Sequence, residues 1–234
     1  KEIVKEMEIY FKNLKINNKL KAIITAGPTN EYIDPVRFIA NASSGIMGKE
    51  IAEQCKESFN LTFITGPIHN QNLPSQTKNI KILNITSSNQ MNSKALEIFP
   101  NVDICIFAAA ISDYKPKIVS KNKISSNKSS ISIELESTND IAKNIGKIKK
   151  INQICIGFSL QDNDDIEIAY QKLINKNLDL IIINQPSSIG ANQGRYVFLN
   201  KNKEILTKTD VISKKECSMY IMDFINKLIR NRKE

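Results

Sequence analysis

Three features of this 234-residue chain predict an α/β fold. Apolar runs of strand length alternate with amphipathic segments of helix length, which argues a mostly parallel sheet with helices on both faces. The run over residues 102–110 is almost wholly apolar, too short to cross a membrane and suited to a strand buried on both sides. Most of the apolar runs stop abruptly at Gly, Ala or Asn, and in such sheets ligands bind beyond the carboxyl ends of the strands. The class is Rossmann-like and doubly wound, in a single domain that ends in a hairpin. No internal repeat or interdomain linker interrupts it.

The elements follow in order. Residues 1–20 predict an amphipathic helix and a turn, with Ile3, Met7, Tyr10, Phe11 and Leu14 on one face. A strand over 21–26 ends at Gly27-Pro28-Thr29. After a polar loop, Ser43-Ser44-Gly45 opens a helix that runs through Met47, Ile51, Ala52 and Cys55. Strands are expected over 61–65, closed by Gly66-Pro67, and over 80–85, with a helix over 91–99 before the apolar run of 102–110. Beyond Tyr114 the pattern changes. Residues 115–130 are Lys, Ser and Asn with little periodicity and read as a mobile loop, whereas Ile131, Ile133 and Leu135 alternate as in a half-exposed strand. Helices over 140–149 and 165–176 alternate with strands over 153–158 and 178–184. A hairpin of 196–199 with 204–207 and a helix over 214–230 complete the chain.

Composition excludes several chemistries. With 41% hydrophobic and 24% charged residues the chain builds a core, and no window holds 18 uninterrupted apolar residues. The first ten residues lack the apolar run of a secretory signal, so a cytoplasmic protein is expected. Four cysteines stand far apart without a C-x-x-C pair and read as buried free thiols. The net charge of +9 favours anionic partners. Its lysines are dispersed, apart from Lys147, Lys149 and Lys150 and a group over 227–233. The charge does not choose among nucleic acid, an acidic surface and phosphorylated small molecules, but with aromatics at only 6% and no Trp, base-stacking platforms are not evident and nucleic acid is not favoured. The one histidine, His69, lies between two prolines with no nucleophile near it, and no zinc-ligand spacing exists.

Three segments carry candidate chemistry. Ser43-Ser44-Gly45-Ile46-Met47-Gly48 begins a helix, and its backbone N–H groups, two hydroxyls and positive helix end suit a phosphate cradle. It reads equally as a Ser N-cap with small residues that pack helix on strand. Upstream, Arg37 and Asn41 stand four apart, placed to clamp a carboxylate and an amide, unless Arg37 pairs with Asp34. In Ala108-Ala109-Ala110-Ile111-Ser112-Asp113-Tyr114 the small residues let a ligand lie flat on the sheet end, with Asp113 as acceptor or as turn former. A G-x-G-x-x-G fingerprint is absent, against a standard dinucleotide fold.

The stretches ITAGPTNEYIDPVRFIANASSGIMG (24–48) and AAAISDYKP (108–116) resemble the phosphopantothenate–cysteine ligase family of coenzyme A biosynthesis. Gly157-Phe158 and KNLDLIIIN (176–184) fit the same family in order and spacing, and the resemblance covers residues 21–234. The opening KEIVKEMEIYF resembles the linker that follows a flavin-dependent decarboxylase domain in bacterial bifunctional proteins. Residues 1–20 would then be that linker, with no flavin in residues 21–234. The resemblance implies a homodimer that activates phosphopantothenate with CTP (ATP as the alternative), accompanied by Mg²⁺, and then transfers the acyl group to cysteine. No nucleic acid or membrane is expected as partner.

Carried over position by position, Ser44, Gly45 and Gly48 would hold the triphosphate. Asn41 would bind the pantothenate arm and orient the acyl-nucleotide, and Arg37 would reach the neighbouring subunit's site. Ala109, Ala110 and Asp113 would contact the pantothenate side, with Asp113 also near the nucleotide. Lys123 would neutralise phosphate charge from a closing loop. Phe158, Lys172, Lys176 and Asn184 would frame base and ribose, with Asp140 in the adjoining motif. Several positions depart from the family. Its usual Lys-Ile-Lys-Lys is here Lys123-Ile124-Ser125-Ser126, Asn-Pro-Asp-Ile is Thr138-Asn139-Asp140-Ile141, and Gly-Phe-Ala-Ala-Glu-Thr is Gly157-Phe158-Ser159-Leu160-Gln161-Asp162. The family's Asn-Asp is Asn184-Gln185. Two readings stand beside the ligase: an impaired homologue that serves as a binding or regulatory subunit, and a Rossmann-type NAD(P)-dependent oxidoreductase.

Overall fold

In a computed structural model, residues 19–127, 129–163 and 165–231 are described, so the helix expected over 1–20 falls almost wholly outside them. Six strands run parallel: β1 Lys21–Ala26, β2 Asn60–Thr65, β3 Ile80–Asn84, β4 Ile104–Phe107, β5 Ile154–Leu160 and β6 Leu180–Asn184. Antiparallel β7 Tyr196–Asn200 and β8 Ile205–Lys208 extend the sheet as the expected hairpin. The spatial order is β3-β2-β1-β4-β5-β6-β7-β8. Strands β1 and β4 are therefore neighbours although a crossover separates them in sequence, and the order reverses between them.

Among the described residues, five α-helices cover the sheet: α1 Ile46–Cys55, α2 Ser88–Ile98, α3 Ile141–Ile148, α4 Ile166–Asn175 and α5 Lys214–Asn231. Alternate strand residues face opposite ways, and two buried clusters result. One joins Ile24, Phe63, Ile106, Ile156 and Ile182 to Ile51, Ala52 and Cys55 of α1 and Cys217, Ile221 and Ile225 of α5. The other joins Ile23, Ile64, Cys105, Cys155 and Ile183 to Met91, Ala95, Ile145 and Leu173 of α2–α4. The expected double cover is thus present.

Helix ends follow the sequence closely. Ser87 and Gln90 form a capping box on α2, Asp140 caps α3, Asp165 caps α4, and Ser213 with Glu216 caps α5. Helix α1 differs, for Gly45 is its N-cap at φ 77° and no side chain caps it. The expected Ser cap is absent, although Ser44 and Ser43 stand at the entry. Gly27, at the end of β1, is also left-handed at φ 71°. A Cβ on either glycine would stand within 3 Å of Ile68 Cγ2, so one isoleucine from the β2–β3 connection fills the gap between them.

The structure corrects three expectations. The 102–110 run is a strand only over Ile104–Phe107, because Ala108-Ala109-Ala110 leaves the sheet after Ala108 N–H donates to Thr25 O and Ala110 N–H to Gly27 O. The loop expected over 115–130 begins as a short strand, Tyr114–Pro116, paired with Leu135–Ser137, so Ile131 and Ile133 lie outside any strand. Of the small basic cluster, Lys149 is not a surface cation: its Nζ lies 2.6 Å from Asp179 Oδ2, both side chains are nearly buried, and Asp179 also accepts from Cys155 N–H.

Helix α1 sits on β1 through Gly48, where a Cβ would fall 2.5 Å from Ala26 Cβ. Ala26 is rigid, so Gly48→Ala is expected to lower stability by about 1–3 kcal/mol through overpacking. That exceeds the gain of up to about 1 kcal/mol in helix propensity. Urea unfolding without ligand checks this.

Candidate functional site

The β1–β4 junction gathers most of the expected site residues at the carboxyl end of the sheet. Pro28 bridges Ala110, Ser112 N–H donates to Thr29 Oγ1 at 3.2 Å, and Asn41 Nδ2 donates to Ile111 O at 2.9 Å. Asn41 is exposed. Ala109 and Ala110 are half-buried, and Asp113 is exposed, anchored only through its carbonyl, which accepts from Thr138 N–H. Alongside, the N-terminus of α1 presents first-turn N–H groups that no side chain caps. Asn72 Nδ2 holds Ser44 O, and Lys49 Nζ holds Gln71 O, so the β2–β3 connection steadies this end of the helix.

Not every assigned residue needs a ligand to explain it. Gly48 is accounted for by Ala26, and the left-handed backbone of Gly45 by the helix entry. Arg37 is engaged within its own chain: its Nε is 3.5 Å from Asp34 Oδ2, and Nη2 donates to Ile124 O at 2.6 Å. Asp34 is fully buried and accepts from Val36, Arg37 and Ile124 N–H. Burial alone would raise its carboxyl pKa, but these three donors and the guanidinium outweigh it and hold it below the ordinary 3.8. The pair therefore steadies the fold above that value and is lost only as pH falls below it. Lys123 is exposed and unpaired among the described residues.

The base-side residues do not form one cluster. Phe158 packs with the α1/α5 face, whereas Ser159 points to the other face, where Lys172 Nζ donates to its Oγ at 3.1 Å. Lys176 reaches Asp140 at the α3 N-terminus, 3.0 Å away. Asn184 Nδ2 donates to Ser188 Oγ, but its buried Oδ1 has no partner among the described residues. Gln161 Oε1 is likewise buried and unpartnered. Sequence reasoning treated Gln161 only as a departure from the family. Its signal was its place just after a buried strand.

The thiols are not poised as nucleophiles. All four cysteines are buried and free, and burial pushes the Cys55 and Cys155 thiols up to about 12 and raises Cys105 and Cys217 too. His69 caps a 3-10 turn through Nδ1. No three His, Cys, Asp or Glu side chains converge among the described residues, and no helix there is long and apolar enough to cross a membrane. A concavity of about 530 Å³ lined by Lys21, Lys78, Lys81 and Glu97 lies at the opposite end of the sheet, remote from this junction.

Comparison with known proteins bears on this geometry. Residues 17–229 match the DNA/pantothenate metabolism flavoprotein C-terminal domain family. A cysteine/cysteine sulfinic acid decarboxylase from an unknown prokaryotic organism is 38% identical over 213 residues, 87% of this chain and 58% of that protein. The coenzyme A biosynthesis bifunctional protein CoaBC of Borreliella burgdorferi is 38% identical over 195 residues, 82% of this chain and 47% of that one. The chain thus spans about half the length of the curated relatives it matches. The crystal structure of the C-terminal domain of CoaBC shares 32% identity at a TM-score of 0.77, covering 92% of this chain and 97% of that one. A Cab2 variant in complex with phosphopantothenate-cysteine has a TM-score of 0.71 at 16% identity, a likeness of fold alone. The chain belongs to the DNA/pantothenate metabolism flavoprotein C-terminal domain family and is a homologue of the CoaBC C-terminal domain.

Proposed function

We propose that this chain joins 4′-phosphopantothenate to cysteine through an acyl-nucleotide, with CTP as the nucleotide and ATP as the alternative. The supporting observation is the β1–β4 junction, where an uncapped helix N-terminus, the Asn41 carboxamide and the small-residue end of β4 meet. A carboxylate oxygen of phosphopantothenate attacks the α-phosphorus, and pyrophosphate leaves. The cysteine amine then attacks the acyl carbon, the acyl C–O bond breaks, and CMP departs with one former carboxylate oxygen. This chemistry needs orientation and charge stabilisation more than a protein nucleophile, in keeping with the thiols described above.

Each residue has a task in this reading. The first turn of α1, with Ser44, Gly45 and Gly48, holds phosphate. Asn41 orients the acyl group, Ala109 and Ala110 let the pantothenate arm lie against the sheet end, and Asp113 accepts a hydrogen bond from substrate. Lys123 neutralises phosphate charge. Phe158 flanks the base, while Asn184 Oδ1 and Gln161 Oε1 await donors such as a base amine or ribose hydroxyl. Lys172 and Lys176 frame base and ribose from the other face, where Lys176 pairs with Asp140. Mg²⁺ would enter as the nucleotide complex, with phosphate oxygens as its main ligands and the exposed Asp113 beside them.

A second copy is proposed to cover two small hairpins, Glu31–Tyr32 with Phe38–Ile39 and Tyr114–Pro116 with Leu135–Ser137. Val36, Phe38, Tyr114, Ile118 and Leu135, on or next to them, are all exposed, and Ile118 is 79% accessible. Arg37 is held here to Asp34 and Ile124 of its own chain. A flavin-dependent decarboxylase in an upstream domain of a longer protein is part of this reading, supported by bifunctional relatives about twice the length of this chain; a cytoplasmic location is proposed with it. The oxidoreductase reading loses ground, since the path from Gly27 to Gly45 holds a hairpin, Glu31–Tyr32 with Phe38–Ile39, instead of a tight glycine turn.

Pyrophosphate release tests the ligase. It is expected to require phosphopantothenate and CTP, to be sustained by cysteine, and to fall about 10²-fold or more in Asn41→Ala. The chain alone is expected to release no CO₂ from cysteine or cysteine sulfinate. No pyrophosphate with either nucleotide, from folded protein, would instead favour a binding subunit. Sedimentation is expected to show a dimer, with Val36→Asp plus Phe38→Asp shifting it to monomer.

A further inference from the structure

We propose that Asp34 is a positioning residue, gripping the backbone of Ile124 together with Arg37 and thereby fixing where Lys123 stands. Ile124 lies 90 residues away in sequence. Its N–H donates to Asp34 Oδ2 at 3.1 Å and its carbonyl accepts from Arg37 Nη2 at 2.6 Å, so opposite charges hold the two polar groups of one residue. Asp34 itself cannot shift: it is fully buried, and its Oδ1 accepts the Val36 and Arg37 N–H groups, both at 2.8 Å. A third tie, Ser120 N–H to Ile33 O at 2.9 Å, sets the same segment against the same turn.

Within residues 120–124 the other tie is local, Ser120 Oγ donating to Asn122 O at 2.6 Å. The segment offers one apolar side chain, the half-buried Ile124, and is otherwise polar and exposed apart from half-buried Ser120, so packing alone cannot hold it. After Ile124, the hydrogen bond from Asn127 N–H to Ser125 Oγ is local. The grip reads backbone, not side chains, and it survives the replacement of two lysines by Ser125 and Ser126. Arg37 consequently acts within its own chain as part of this clamp. The consequence for turnover rests on the ligase reading; the geometry does not.

Trypsin and kinetics test the proposal on the whole chain. In the free protein, Asp34→Asn removes one carboxylate acceptor and the charge opposite Arg37. Cleavage after Lys121 and Lys123 is expected to accelerate about 10-fold, well beyond cleavage at lysines elsewhere in the chain even where the thermal midpoint falls, while the sedimentation of the protein stays near that of the parent. Arg37→Gln, which leaves the turn's N–H bonds intact, is expected to do the same, and it serves if Asp34→Asn does not fold. In the pyrophosphate assay either variant is expected to lower kcat/KM for the nucleotide about 10-fold, but less than about twofold in a Lys123→Ala background. Unchanged cleavage at Lys121 and Lys123 overturns the clamp. Fully additive losses with Lys123→Ala overturn its action through that lysine. An inactive parent protein counts against the ligase alone, since the proteolysis still reads the clamp.

Discussion

Two neighbouring parallel strands, β1 and β4, hydrogen-bond along their length and then send their chains apart. The chain after β1 leads to α1 on one face, and the chain after β4 leads to α3 on the other. A parallel sheet must open a crevice where its strand order reverses, and everything at this site depends on that opening. The backbone rims it: Ala110 N–H meets Gly27 O, and Ser112 N–H meets Thr29. Small residues at 108–110 keep the rim low. Ile68 fills the space behind it, which is why Gly27 and Gly45 tolerate no side chain.

What the carboxyl end of the sheet offers is polarity in fixed places. An uncapped helix end and a carboxamide held by Ile111 O at the crevice, and, at the ends of β5 and β6, oxygens of Gln161 and Asn184 that have no partner among the described residues, are groups that orient and stabilise. They are not groups that form covalent intermediates, and the thiols are sealed in the core. A reaction between two bound substrates suits such a site better than one needing a protein nucleophile. The positive charge of the chain bears on this as well, although part of it is spent internally, as Lys149 with Asp179 and Lys176 with Asp140 show.

Much of this was legible in the sequence because it is local. Periodicity located every strand of the central sheet to within a few residues, and Asp140 and Asp165 mark helix starts by their own hydrogen bonds. Non-local relations were not legible. Residues 115–130 carry no pattern, yet Ile124 is pinned by a carboxylate 90 residues upstream. The pairing of Asp34 with Arg37 stood open as one of two readings, and only the fold decides it. Ile68 looks like an ordinary loop apolar residue until two left-handed glycines are seen against it. The family resemblance puts Phe158 and Lys172 around one base, but strand alternation turns Phe158 and Ser159, which Lys172 holds, to opposite faces. A ligand can meet both only above the strand ends.

The account turns on an acyl-nucleotide formed in this crevice, and the fate of one oxygen tests it most directly. Phosphopantothenate labelled with oxygen-18 in its carboxylate would be turned over with CTP and cysteine, and the nucleotide and pyrophosphate analysed by mass spectrometry. The account predicts one labelled oxygen in CMP and none in pyrophosphate. Label in pyrophosphate or inorganic phosphate, or unlabelled CMP beside a formed amide, would contradict it.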